Sequence, residues 1–128
     1  MNKFFRPALG AILVLASFTV FACDYPERPF IPDGATASKE ELLAAKNGVQ
    51  TFLASVDEYL QCVELEELAA LASMDEPTPE ERAERDKSLN RKFDAANEEK
   101  VMVGEQFNEQ VRAYNAERKA AKESKPES

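Results

Sequence analysis

Apolar residues recur from Leu42 at alternating spacings of three and four: Leu42, Ala45, Val49, Phe52, Val56, Tyr59 and Val63. That spacing places them on one face of an α-helix, as a narrow seam of the coiled-coil kind. Leu65, Leu68 and Leu71 carry an apolar stripe onward to about Met74. The start of the helix is marked by Ser38-Lys39-Glu40-Glu41, a capping box. Its serine oxygen accepts from a first-turn amide while Glu41 reaches back to the cap. The end is marked by Asp75-Glu76-Pro77, because proline has no amide for a helix interior and pushes its predecessor out of helical angles. A helix over about 38–74 is therefore expected.

Thr78-Pro79-Glu80-Glu81 opens a second helix at once, with Thr78 as N-cap, Pro79 at the first helical position and Glu81 completing another box. Leu89, Phe93, Ala96, Val103, Phe107, Val111 and Tyr114 continue a seam to about 116, with Lys100 its one charged interruption. A link of a few residues between long helices makes them antiparallel neighbours. If the chain reverses near Glu76, facing residues have numbers summing to about 153. Leu60 then meets Phe93, Val56 meets Ala96, Ala45 meets Phe107 and Leu42 meets Val111. Gly48 and Gly104 also fall opposite each other, which suggests close backbone approach or room for Phe52 and Phe107; alternatively Asn47-Gly48 kinks the first helix. Beyond Tyr114 the apolar pattern fades; alanine and lysine can extend the helix a turn or two, but with no apolar face to hold it 117–128 reads as a frayed or disordered tail. The expected fold is all-α, an antiparallel two-helix hairpin.

The N-terminal third has a different texture. Lys3 and Arg6 precede an uncharged apolar stretch from Ala8 to Ala22, and Val20 and Ala22 are small enough for a signal peptidase. Residues 1–22 therefore read as a cleaved secretory signal, with an uncleaved anchor as the alternative. Pro26, Pro29 and Pro32 make the next segment, 23–37, an extended, polyproline-like strap. It can turn near Asp33-Gly34 and run back along the first helix, laying Tyr25, Phe30 and Ile31 on the helix surface. Fifteen strap steps reach ~46 Å at ~3.1 Å each, and the helix from Ser38 to Cys62 rises ~36 Å. Cys62 is within reach of Cys23.

Those two residues are the only cysteines. An even count in an exported chain favours a Cys23–Cys62 disulfide. Val20-Phe21-Ala22-Cys23 also resembles a lipobox, although Phe21 is bulky where that motif prefers a small residue. The resemblance implies an alternative in which Cys23 carries a lipid anchor and Cys62 is left as a lone thiol.

Charge and composition narrow the functions. The formal net charge is −8, and losing Lys3 and Arg6 with the signal would take it to −10. So acidic a chain repels phosphate backbones, which makes nucleic acid an unsuitable partner. No segment after the signal is apolar enough to span a membrane. There is no histidine, hence no histidine base or ligand, and the four glycines form no phosphate-binding loop. No calcium loop and no Cys-x-x-Cys motif occurs, so no catalytic, cofactor or metal residues are assigned. Glu64, Glu66, Glu67, Asp75, Glu76, Glu80, Glu81, Glu84 and Asp86 crowd the turn, and a solvated helix end accounts for them better than a cation site. A Glu81–Arg85 pair is expected there at helical i,i+4 spacing.

Seven apolar residues do not all fit one seam: Leu43, Leu53, Leu65, Leu68, Leu71, Val101 and Met102. Leu65, Leu68 and Leu71 are therefore the expected protein interface, for a partner or a second copy; the alternative is that Leu68 and Leu71 simply cap the seam near the turn. The expected function is a binding or structural module of the bacterial cell envelope, periplasmic or lipid-anchored. A periplasmic chaperone or stress sensor is the second hypothesis, and a carboxylate-based enzyme the third.

Overall fold

The computed structural model describes residues 22–125 of the chain. The expected signal, 1–22, lies outside them except for Ala22, as do the last three residues of the expected tail. Two helices account for all the regular structure described: α1, Lys39–Ser73, and α2, Pro79–Glu123, antiparallel and packed along a shared seam.

Both helix starts are formed by the reciprocal hydrogen bonds their sequences specify. The Glu41 amide donates to Ser38 Oγ at 3.2 Å, and the Ser38 amide donates to the Glu41 carboxylate at 2.7 Å. These bonds hold the Glu41 carboxyl below its ordinary range, the Ser38 amide contributing most. Thr78 and Glu81 repeat the arrangement at 3.2 and 2.8 Å. Between the helices, the Met74 amide caps α1 on the Leu71 carbonyl at 3.3 Å. Glu76 then takes a left-handed backbone angle, φ 47°, to reverse the chain ahead of Pro77.

At its far end α2 differs from the expectation of a frayed tail from 117, for it continues to Glu123. Ala116, Ala120 and Ala121 are strong helix formers, and Lys119 lies 3.9 Å from Glu123 at i,i+4. Arg118 also covers the Tyr114 ring, 5.4 Å from its centre. Local terms sustain this last stretch, whose side chains are all exposed.

The seam of α1 buries Leu42, Ala45, Val49, Phe52, Val56, Leu60 and Val63. Leu60 takes the place expected of Tyr59, which is half-buried on the adjoining flank. On α2 only Ala96 and Val103 are buried, while Leu89, Phe93 and Phe107 pack partly exposed against the same core. Lys100, the charge in that seam, reaches out of it to Asp57 at 2.5 Å. Two cross-hairpin pairs fix the register: residue numbers sum to 152 for Glu67 with Arg85 and to 157 for Asp57 with Lys100. The reversal therefore lies where the proline placed it.

The strap forms a third layer over the groove between the helices. It begins at the Cys23–Cys62 disulfide, with Cα atoms 5.8 Å apart, and runs antiparallel to α1. Its pitch matches the helix beneath: six polyproline steps from Cys23 to Pro29 cover ~19 Å, and the fourteen helical residues from Cys62 back to Gly48 rise ~21 Å. Pro29 Cβ accordingly sits 3.4 Å from where a side chain on Gly48 would begin. Every third residue of the strap faces inward, with Cys23, Pro26 and Pro29 half-buried and Pro32 buried. That is the three-residue period of a polyproline helix.

The same period corrects one expectation. Phe30 follows an inward-facing proline, so it points to solvent and is 83% exposed instead of lying on α1. Tyr25 does lie on the hairpin, edge-on to Tyr59 and Phe52 with ring centres 4.9 and 6.5 Å away. Ile31 packs against the core. Gly48 and Gly104 do not meet, either. Gly48 makes room for the strap, and Gly104 has no atom within 4 Å of where a side chain would begin. Helix α1 runs through Gly48 unbroken.

Candidate functional site

The strap is held by four polar or covalent fastenings, all on residues far apart in sequence. At its first residue, the Cys23 amide donates to Glu66 Oε1 at 3.2 Å, one helical turn beyond the disulfide partner Cys62. Near its middle, the Arg28 guanidinium pairs through two nitrogens with the Glu99 carboxylate on α2, and also approaches Met102 Sδ at 3.4 Å. A forked guanidinium–carboxylate contact adds orientation to charge attraction. It holds the Glu99 carboxyl below its usual range and raises Arg28 further. Burial, with a smaller effect from nearby Glu99, raises the Tyr25 hydroxyl above its ordinary value.

The fourth fastening closes the strap onto the start of α1. The Asp33 side chain accepts from the Ala35 amide at 2.9 Å, and its carbonyl accepts from the Thr36 and Ala37 amides. This tight turn presses Gly34 against α2, where its amide donates to Gln110 Oε1 at 2.8 Å. A Cβ on Gly34 would lie 1.8 Å from the Gln110 carbonyl oxygen. Real side chains do not approach so closely, so only glycine permits this contact.

Beside the strap, Tyr25 and Tyr59 border an open groove of about 470 Å³ that Arg91, Lys92 and Glu99 line from α2. Its charges are of both signs and it is wide open to solvent.

The three leucines singled out from the sequence divide. Leu65 and Leu68 are 66% and 59% exposed, neighbours on the side of α1 that neither α2 nor the strap covers. Leu71 is half-buried beside the turn. Of the other surplus residues, Leu53 packs against the core, whereas Leu43, Val101 and Met102 are exposed.

Three of the nine acids at the turn have close structural partners. Glu67 receives Arg85 at 2.6 Å across the hairpin, which replaces the expected Glu81–Arg85 pair. Glu81 caps α2, and Glu66 holds Cys23. Among the described residues, one trio has metal-ligand spacing: Cys23, Cys62 and Glu66. Its two sulfurs are bonded to each other, so they are not thiolate ligands.

Arg28, Glu99 and Gln110 were not singled out from the sequence, and Gly34 was named only as the place where the strap turns. The one signal that pointed toward them is the Pro-x-x-Pro-x-x-Pro spacing, which fixes the inward side of the strap and hence that Arg28 flanks it. Comparison with protein-family models, with curated proteins and with solved structures finds no match for this chain.

Proposed function

We propose that this protein is an exported, disulfide-clipped binding module of the bacterial cell envelope, whose contact with another protein or a second copy is centred on Leu65 and Leu68. The observation that carries this is the uncovered pair itself. The seam of α1 is taken up by α2 and the strap, and a hairpin of two helices has a thin core to begin with. Two leucines one helical turn apart, both left in water on an acidic chain, form an apolar patch in need of a partner. Export supports the reading from a second side, since it supplies the oxidising compartment in which Cys23–Cys62 persists.

The full chain, expressed with its own leader, tests this by light scattering after size exclusion and by chemical crosslinking in cells. A defined oligomer or a reproducible crosslinked partner is expected, and Leu65→Asp with Leu68→Asp should abolish it while leaving helicity unchanged. A monomer at high concentration that crosslinks to nothing would overturn the proposal.

A further inference from the structure

The corner formed by Cys23, Cys62 and Glu66 has a property that its role as a strap fastening does not use. The Cys23 nitrogen, the atom that signal cleavage would set free, already rests 3.2 Å from a carboxylate oxygen of Glu66. Glu66 is half-buried, and no lysine or arginine lies in salt-bridge range of it among the described residues. A neutral amide is a weak partner for a half-buried carboxylate; an ammonium is a strong one. The flanking residues Ala22 and Asp24 are exposed.

We infer that Cys23 is the processed first residue of the working protein and that its α-ammonium docks on Glu66 as a built-in terminal ion pair. The step is a hydrolysis. The Ala22–Cys23 amide bond breaks, the hydroxyl of water goes to the Ala22 carbonyl to give a carboxylate, and the nitrogen departs with Cys23 as a protonated amine. A leader peptidase is the catalyst. This rests on the export reading above and deepens it, because it selects one of the two fates open to Cys23. A lipid anchor would need the Cys23 sulfur for a thioether, and that sulfur is bonded to Cys62. Acylation of the freed amine would remove the charge that Glu66 awaits. Sulfur and nitrogen are both committed to α1.

The test expresses the full chain with its own leader in a Gram-negative host, as wild type and as Glu66→Gln. Intact mass and N-terminal sequencing should give a chain starting at Cys23, with a free amine and two hydrogens lighter than its reduced form. Reductive methylation at neutral pH then reads the pairing. The wild-type α-amine should react roughly three- to fivefold more slowly than that of Glu66→Gln, as an ion pair at a partly exposed site implies. Circular dichroism of both proteins ensures that the same fold is compared. A chain that keeps its leader would fail the export reading, and the inference with it. A chain cut elsewhere, an acylated Cys23, or equal α-amine reactivity in the two proteins would overturn the inference alone.

Discussion

The two helices of the hairpin share one interface, yet α1 buries seven side chains and α2 buries two. Lys100 interrupts the α2 seam where α1 has no such break, which accounts for part of the difference. The strap adds to it. It lies in the groove with its proline row turned inward and its disulfide on α1, so that α1 is covered from two directions and α2 chiefly from one. Phe52 on α1 is 3% exposed beneath Tyr25, whereas Phe107 on α2 is only half-buried. An apolar seam sets where a helix packs; a third layer decides how completely it is buried.

Removing the strap's covalent end should reduce that asymmetry. Cys62→Ser is expected to cost about 4 kcal/mol on the chain-entropy account of a closed loop this long. Urea denaturation with and without reductant measures it, and the wild type in reductant should match the variant. Next in size is the contrast between like residues. Phe52→Ala should cost about 3–5 kcal/mol, in the range for buried phenylalanine, and Phe107→Ala clearly less; equal losses would mean the strap adds no burial.

A smaller effect is expected from the glycines. Gly34→Ala should cost about 1–3 kcal/mol by forcing the turn away from Gln110, and amide exchange in the strap should quicken selectively. Gly104→Ala meets open space and should stabilise α2 by about 1 kcal/mol. Smallest is the ionic link between strap and α2. Because Arg28 lowers the Glu99 carboxyl in the folded state, its contribution is complete above the unfolded carboxylate value of about 4.3. It is lost as the pH falls through the lower folded value. Wild type should therefore exceed Glu99→Gln in stability at neutral pH, and the gap should close in acid.

The hairpin was legible because its signals are local: two capping boxes, a proline after each stop or start, and apolar spacings of three and four. Cys23 and Cys62 could be paired by length alone, since strap and helix have fixed rises. What escaped was set by side-chain direction in a segment without strong periodicity. Tyr59 and Leu60 are adjacent and both apolar enough for the seam, and only the strap's Tyr25 decides that Tyr59 turns outward. Phe30 looked like a buried aromatic until the three-residue period turned it to solvent. The end of α2 had no stop signal before Pro126, so a fading apolar pattern marked the loss of packing and not the loss of helix. Of the expected interface, Leu65 and Leu68 are uncovered, but Leu71 is drawn inward by the turn, whose exact geometry spacing does not encode.

The disulfide also changes what a broken backbone would mean. Residues 23–62 form a covalent ring, closed at one end by sulfur and along the rest by peptide bonds, with the chain from 63 onward as its tail. A single nick anywhere inside that ring adds a water and releases no fragment. Where proteases abound, the exposed strap can be cut once and the molecule still remains in one piece.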